Sequence, residues 1–247
     1  MVRDVKEMIR RAVRRFNLDT QYPYSQDISV TSVLYCLRKA YYDYLINCDL
    51  IDEQKIEEQF DSYHEQIDRT LEDWYIFVGK TVHSNVQEFI KKAFASERVN
   101  IIDEFKVSVP LTENIRLTGH IDILLLEPEK AEIIELKTCA RIPDSPYPQH
   151  DKQVKTYVHM LSKIFPEFTI DASIVYLQRS GGRIEQFTLV ENYPKVKGDV
   201  DDTFDYTFRR ALKLYNAVVN EEPPEGEYTI QCRNCPYQNR CNRVYGW

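Results

Sequence analysis

Asp122, Glu135 and Lys137 are three charged side chains inside an otherwise apolar stretch, residues 119–137, GHIDILLLEPEKAEIIELK. Ile121, Ile123, Leu124, Leu125 and Leu126 precede a turn at Pro128-Glu129, and Ile133, Ile134 and Leu136 follow it. Apolar runs split by turn residues predict two buried strands. A charge buried there must be paired or must bind a metal, since desolvating it alone costs several kcal/mol or more. Asp122 and Glu135 on adjacent strands can converge on one divalent cation. Glu135 and Lys137, two apart, share a strand face, which sets the lysine beside that cation, where it can orient a water or stabilise charge on a phosphate. An ordinary salt bridge on a solvated hairpin is the plainer reading of the same residues.

The cysteines offer a second chemistry. There are six: Cys36, Cys48, Cys139, Cys232, Cys235 and Cys241. The last three form C-x2-C-x5-C, a spacing suited to metal or iron–sulfur ligation. A fourth ligand is needed, and Cys36, Cys48 and Cys139 are the candidates. Four thiolates would also accept zinc.

Positioning these groups requires several elements. A helix is expected from about Ser32 through Tyr42, with Thr31 or Ser32 as its N-cap. Apolar residues at helical spacing predict a long helix over 71–95, interrupted by Gly79 and carrying His83. Strands are expected over 105–111, 115–126 and 131–138. A helix over 151–164 puts Gln153 and Tyr157 on one face. A hairpin over 168–179 and 183–190 turns at Ser180-Gly181-Gly182, and an amphipathic helix follows over 203–220. The Arg-rich start, residues 2–16, reads as an amphipathic helix and not as a targeting peptide, so a cytoplasmic protein is expected.

The formal net charge of −7 at first disfavours nucleic acid. The acid is concentrated, however. Residues 49–73 hold ten Asp or Glu against Lys55 and Arg69, and the rest of the chain has 30 basic and 29 acidic residues. A local basic groove is therefore compatible with the composition, with residues 49–73 as an acidic helical insertion. No run of eighteen apolar residues exists, so no membrane partner is expected.

Taken together, Gly119-His120-Ile121-Asp122, Glu135-Leu136-Lys137 and Gln153-x-x-x-Tyr157 resemble the motifs of the RecB-like branch of the PD-(D/E)XK nucleases. Gly79-Lys80-Thr81-Val82-His83 is similar to that branch's upstream helix motif. Ser32-x-x-x-Cys36-x-Arg38-x-x-Tyr41-Tyr42 with the distal cysteines resembles its iron–sulfur subgroup, which includes the AddB-type helicase nucleases and the stand-alone CRISPR-associated exonuclease of the fourth Cas family. The resemblance implies an α/β (α+β) restriction-endonuclease-like core, a mixed central sheet flanked by helices. It implies one nuclease domain over 1–247, with a nuclease core at 79–190 and an iron–sulfur subregion at 31–48 and 228–247. It assigns His83, Asp122, Glu135 and the Leu136 backbone carbonyl as ligands of Mn2+ or Mg2+, and Lys137, Glu135, Asp122, Gln153 and Tyr157 as the catalytic set. It assigns Cys36, Cys232, Cys235 and Cys241 to a cluster, [4Fe–4S] by preference. The implied activity is a metal-dependent DNA exonuclease acting on single-stranded ends in CRISPR adaptation, with CRISPR integrase proteins as partners. A viral or repair nuclease of the same family, or a DNA-binding protein of this fold, is the alternative. Arg38, Lys152 and Lys155 are expected to meet phosphates, and Tyr147 and Tyr157 to stack on unpaired bases.

Overall fold

The computed structural model describes residues 26–48, 69–93 and 99–229, together with Cys232, Cys235, Tyr237 and Cys241. The expected N-terminal helix over 2–16 and the acidic segment up to residue 68 lie outside the described residues. In chain order the elements are β1 (Ile28–Ser29), α1 (Val30–Val33), α2 (Leu37–Asn47), α3 (Arg69–Ala93), β2 (Asn100–Pro110), β3 (Arg116–Glu127), β4 (Lys130–Cys139), α4 (Pro148–Ile164), β5 (Thr169–Gln178), β6 (Ile184–Tyr193) and α5 (Lys197–Val219).

One mixed sheet carries the site. β2 lies antiparallel to β3 from Asn100↔Leu126 to Pro110↔Arg116 and covers that edge of β3 over most of its length. The opposite edge is shared. β1 pairs with it in parallel at Ile28↔Leu117 and Ser29↔Thr118, and β4 pairs antiparallel from Ile123↔Ile134 to Glu127↔Lys130. Residues 119–122 therefore face a gap in the ladder, between the two partners. β4 runs on beside β5 in parallel, from Lys130↔Thr169 to Cys139↔Gln178, and β6 closes that side antiparallel to β5. Leu117, Ile121, Ile123, Leu124, Ile133, Leu136, Ile170 and Ile174 are all buried. Continuous burial along successive residues means that both sheet faces are covered, as a parallel crossover requires.

The crossover from β4 to β5 is α4. It starts at Pro148, earlier than the apolar pattern indicates. Tyr147 is its extended N-cap and proline occupies the first turn, where the missing N–H leaves no helical bond unmade. Val154, Tyr157, Val158 and Leu161 turn inward, and Thr156 Oγ1 meets Thr207 Oγ1 of α5 at 3.0 Å.

The helix expected from Ser32 is two helices. α1 ends at Val33 and α2 begins at Leu37. Arg210 of α5 causes the break: its guanidinium donates to the backbone carbonyls of Val33 and Tyr35, which a continuous helix would direct at its own N–H groups. Glu227 Oε2 then accepts the Leu37 N–H at 3.4 Å, placing a carboxylate at the positive end of α2. The N-cap of α1 is Ser29, not Thr31 or Ser32, and its side chain makes no capping bond.

Gly119 fills the gap in the ladder because nothing larger fits. A Cβ there would sit 2.2 Å from Tyr157 Cε1, and Tyr157 is buried at 2% exposure, so the ring has nowhere to retreat. Gly119→Ala is expected to destabilise the protein by about 1–3 kcal/mol through overpacking, lowering Tm by roughly 3–10 °C. The loss should shrink in a Tyr157→Leu background, because the two changes share one space. An unchanged melting curve for Gly119→Ala would contradict this packing.

Candidate active site

Where β3 and β4 part, Asp122 replaces the missing ladder bond. Its Oδ2 accepts the Leu136 N–H at 2.7 Å, so a side chain from one strand satisfies the backbone of the next. The carboxyl is 8% exposed. Burial pushes its pKa up to about 6, against the pull of Lys137 and the Leu136 N–H. Glu135 is deeper, at 2% exposure. Its Oε1 accepts from Lys137 Nζ at 2.7 Å and from Gln153 Nε2 at 2.7 Å. Burial, with the charge of Asp122, raises Glu135 to about 7. The desolvation of Lys137 is outweighed by Glu135 and Asp122, which hold it protonated. The two carboxyls and the ammonium titrate as one set, with both acids held above their ordinary range.

α4 locks this set from above. The Gln153 amide donates both to Glu135 and to Tyr157 Oη, the latter at 3.0 Å. With Tyr157 wedged against Gly119, this fixes the orientation of the Glu135 carboxylate. The burial of Tyr157 overturns the expectation that its ring stacks on a base: no nucleobase can reach it.

His83 reaches the site from α3, with Nδ1 3.7 Å from Asp122 Oδ2. Burial, aided by the charge of Lys137, lowers its pKa, keeping the imidazole neutral as a metal ligand must be. One helical turn on, Gln87 Nε2 donates to the Asp122 backbone carbonyl at 2.9 Å and to Glu104 Oε1 at 3.0 Å. Gln87 thus ties the helix bearing His83 to the strand bearing Asp122. Glu104 has φ 50°, at the point where the β2–β3 register skips from Asp103↔Ile123 to Phe105↔Ile121, and its charge bears on both His83 and Asp122. Neither residue was singled out from the sequence. The i, i+4 spacing of His83 and Gln87 was the available signal for the glutamine.

A divalent cation can be tested against these donors. Glu135 Oε2 is buried and has no hydrogen-bond partner, an unusual state for a carboxylate oxygen and one that a cation would relieve. Among the described residues, no three His, Cys, Asp or Glu side chains are gathered closely enough to hold an ion as they stand. Lys137 takes the other oxygen of Glu135, and His83 stands off from Asp122. The donors fit a hard cation in type, though as they stand they do not enclose one.

The cysteines divide by location. The Glu227 N–H points at Cys36 Sγ (3.4 Å) and the Thr229 N–H at Cys232 Sγ (3.3 Å). Burial raises the Cys235 thiol to about 11, with Cys36 and Cys232 adding to the rise, but among the described residues these cysteines are not gathered into a group that holds a metal. Cys139, at the end of β4, instead has its thiol directed at the Leu177 carbonyl, 3.8 Å away.

The basic residues expected on DNA are engaged within the protein. Arg38 donates to the Pro224 carbonyl at 3.0 Å and lies over the Tyr42 ring. Lys155 is clamped between Asp151 (3.1 Å) and Asp199 (2.8 Å), and Lys152 sits over the Tyr206 ring at 5.3 Å.

The family model of the PD-(D/E)XK nuclease superfamily matches residues 36–242, and the chain belongs to that superfamily; it is a nuclease by family. Among solved structures, the crystal structure of SSO0001 is similar at 14% identity and a TM-score of 0.58, with 96% of each chain covered; it shares the fold. An alkaline exonuclease (LHK-Exo) from Laribacter hongkongensis is 9% identical, with a TM-score of 0.41 over 80% of this chain and 94% of that one, too loose a likeness to define a common fold. Comparison with curated proteins finds no match. No helix among the described residues is long and apolar enough to cross a membrane.

The raised pKa of Asp122 makes a signed prediction for the metal-free protein. An acid with a raised folded pKa contributes stability at low pH that is lost as pH climbs from the unfolded value through about 6. Asp122→Asn keeps an acceptor for the Leu136 N–H and removes the charge. At pH 8 in chelator it should melt roughly 2–6 °C above wild type, on the order of 1–2 kcal/mol, and the difference should vanish near pH 4. Millimolar Mn2+ should reverse the order by stabilising wild type alone. A variant less stable than wild type at pH 8 in chelator would refute the strain at this site.

Proposed function

We propose that this protein is a divalent-cation-dependent DNA exonuclease that trims single-stranded ends, with a [4Fe–4S] cluster bracing its N-terminal helices to its tail, and that it processes prespacers for CRISPR integrase proteins. One observation carries the nuclease chemistry: a buried Glu135 carboxylate holds Lys137 with one oxygen and leaves the other without a partner, beside Asp122. His83, Asp122, Glu135 and the Leu136 carbonyl would hold Mn2+ or Mg2+, hard donors with one imidazole suiting either. When bound, such an ion polarises the scissile phosphate and acidifies water. The protein's own groups do the rest. Lys137 presents a permanent positive charge to the phosphate and hydrogen-bonds the attacking water or a phosphoryl oxygen. Glu135 aims that ammonium, Gln153 fixes Glu135, and Tyr157 fixes Gln153. The CRISPR context is supported by the motif resemblance alone.

The ligand and lysine variants should fail differently. Asp122→Ala and Glu135→Ala should lose Mn2+ binding and cleavage together. Lys137→Ala should keep metal and DNA binding but lose roughly 100-fold or more in cleavage. His83→Ala should be intermediate and partly restored by high Mn2+, since water replaces one neutral ligand more readily than a carboxylate. Calorimetric Mn2+ titration and cleavage of labelled single- and double-stranded DNA on the same variants decide this. Wild-type cleavage by Asp122→Ala would show the site to be misassigned.

For the cluster, Cys36, Cys232, Cys235 and Cys241 are the ligands, supported by the N–H groups aimed at Cys36 and Cys232, since such hydrogen bonds tune cluster sulfurs. Protein purified anaerobically should be brown with about four irons per chain. Cys36→Ala and Cys232→Ala should lose the colour, whereas Cys48→Ala and Cys139→Ala should keep it. A colourless protein with one stoichiometric zinc would refute the assignment.

A further inference from the structure

Tyr147, the N-cap of α4, stands out. It is 45% exposed, yet it is built in place. Its backbone N–H donates to Tyr176 Oη at 3.2 Å, and the same phenol oxygen is 2.8 Å from His150 Nδ1. The Tyr147 ring meets His150 edge to face, with centroids 5.5 Å apart at 86°, and meets Tyr176 at 6.1 Å and 80°. Tyr176 is itself fully buried and is braced from behind by Phe187 at 5.8 Å. Burial, then the charge of Lys137, lowers His150 to about 4. The imidazole is therefore neutral, and its Nδ1 can accept the phenol hydrogen of Tyr176, completing a chain that ends on the Tyr147 backbone.

This assembly adjoins the reaction centre. Tyr176 is the β5 partner of Lys137 in the sheet register, so the two side chains emerge on the same face. Two rings and two hydrogen bonds thus hold one half-exposed aromatic ring, and one of those rings, Tyr176, is the sheet neighbour of Lys137. Nothing in the interior needs that ring: the hydrogen bonds run through its backbone and through Tyr176. Both ring contacts are T-shaped, and no ring among the described residues stacks face to face on it.

We propose that Tyr147, held by His150 and Tyr176, is the stacking platform for the unpaired nucleobase next to the scissile phosphate. This rests on the nuclease reading and refines it. A stacked base must be swung out of a duplex, so single-stranded or frayed ends are selected. Every base has a π-face, so the selection is blind to sequence. Base–aromatic stacking changes affinity by roughly 5- to 150-fold per base.

The test uses the intact protein and a short oligonucleotide carrying 2-aminopurine at the terminal or penultimate position, in chelator so that no cleavage occurs. Wild type should quench the probe at one of these positions. Tyr147→Ala should abolish the quenching and weaken single-strand binding roughly 10-fold, while Tyr147→Trp restores both. With Mn2+, Tyr147→Ala should raise KM on single strands far more than on blunt duplexes, collapsing the preference between them. An abasic residue at the quenched position should weaken wild type but not Tyr147→Ala. Unchanged quenching and an unchanged single-to-double-strand ratio in Tyr147→Ala, in a protein whose melting curve matches wild type, would overturn the proposal while leaving the nuclease reading intact. Absence of any metal-dependent cleavage by wild type would instead strike the nuclease reading itself.

Discussion

The hydrogen bond from the Leu136 N–H to the Asp122 carboxylate is the contact around which the molecule is arranged. A notch in the middle of a sheet requires two neighbouring strands to separate, and separation strands backbone donors in a buried place. Each unsatisfied donor costs about 1–3 kcal/mol. Asp122 removes that cost by accepting the Leu136 N–H. The gap is kept from closing by Tyr157, whose ring occupies the space beside Gly119. Gln153 then converts the position of that ring into the orientation of Glu135. Backbone geometry, packing and carboxylate orientation are thus parts of one arrangement.

The same arrangement concentrates charge where water is scarce. Asp122 and Glu135 both have raised pKa values because burial disfavours their ionised forms, and each raises the other or is raised by a neighbouring acid. Lys137 relieves part of this. Perturbed groups clustered in this way are found more often at functional sites than elsewhere. His83, Gln87 and Glu104 extend the arrangement to α3 and β2. A glutamine amide there fixes the distance between a helix and a strand that no local contact would set.

A second organising region lies between α2 and the tail. Arg210 and Glu227 form an ion pair that also breaks the helix before Leu37 and caps its successor. Tyr237 packs on Tyr42, with centroids 5.0 Å apart, and donates to Asp43 at 2.8 Å. These contacts bring the tail to Cys36 through protein alone, so a metal group ligated there would reinforce a junction that side chains already form. Closing so long a loop is the kind of constraint that ligation stabilises most.

Much of this was legible in the chain. Charged residues set singly in apolar runs, with Glu135 and Lys137 two apart and Gln153 and Tyr157 four apart, require strand and helix faces that the sheet and α4 then supply. These are short-range periodicities, and short-range periodicity survives in a sequence. The gap between β1 and β4 along β3 was not legible, because it depends on two strands from distant parts of the chain sharing one edge. Nor was the break before α2, which is made by an arginine 177 residues from the carbonyl it binds. Tyr157 and Tyr147 are both tyrosines near the same motif, and nothing local distinguishes them. Only the tertiary structure buries the first against Gly119 and leaves the second half-exposed against His150 and Tyr176, because burial is decided by what packs on a ring and not by the residues next to it.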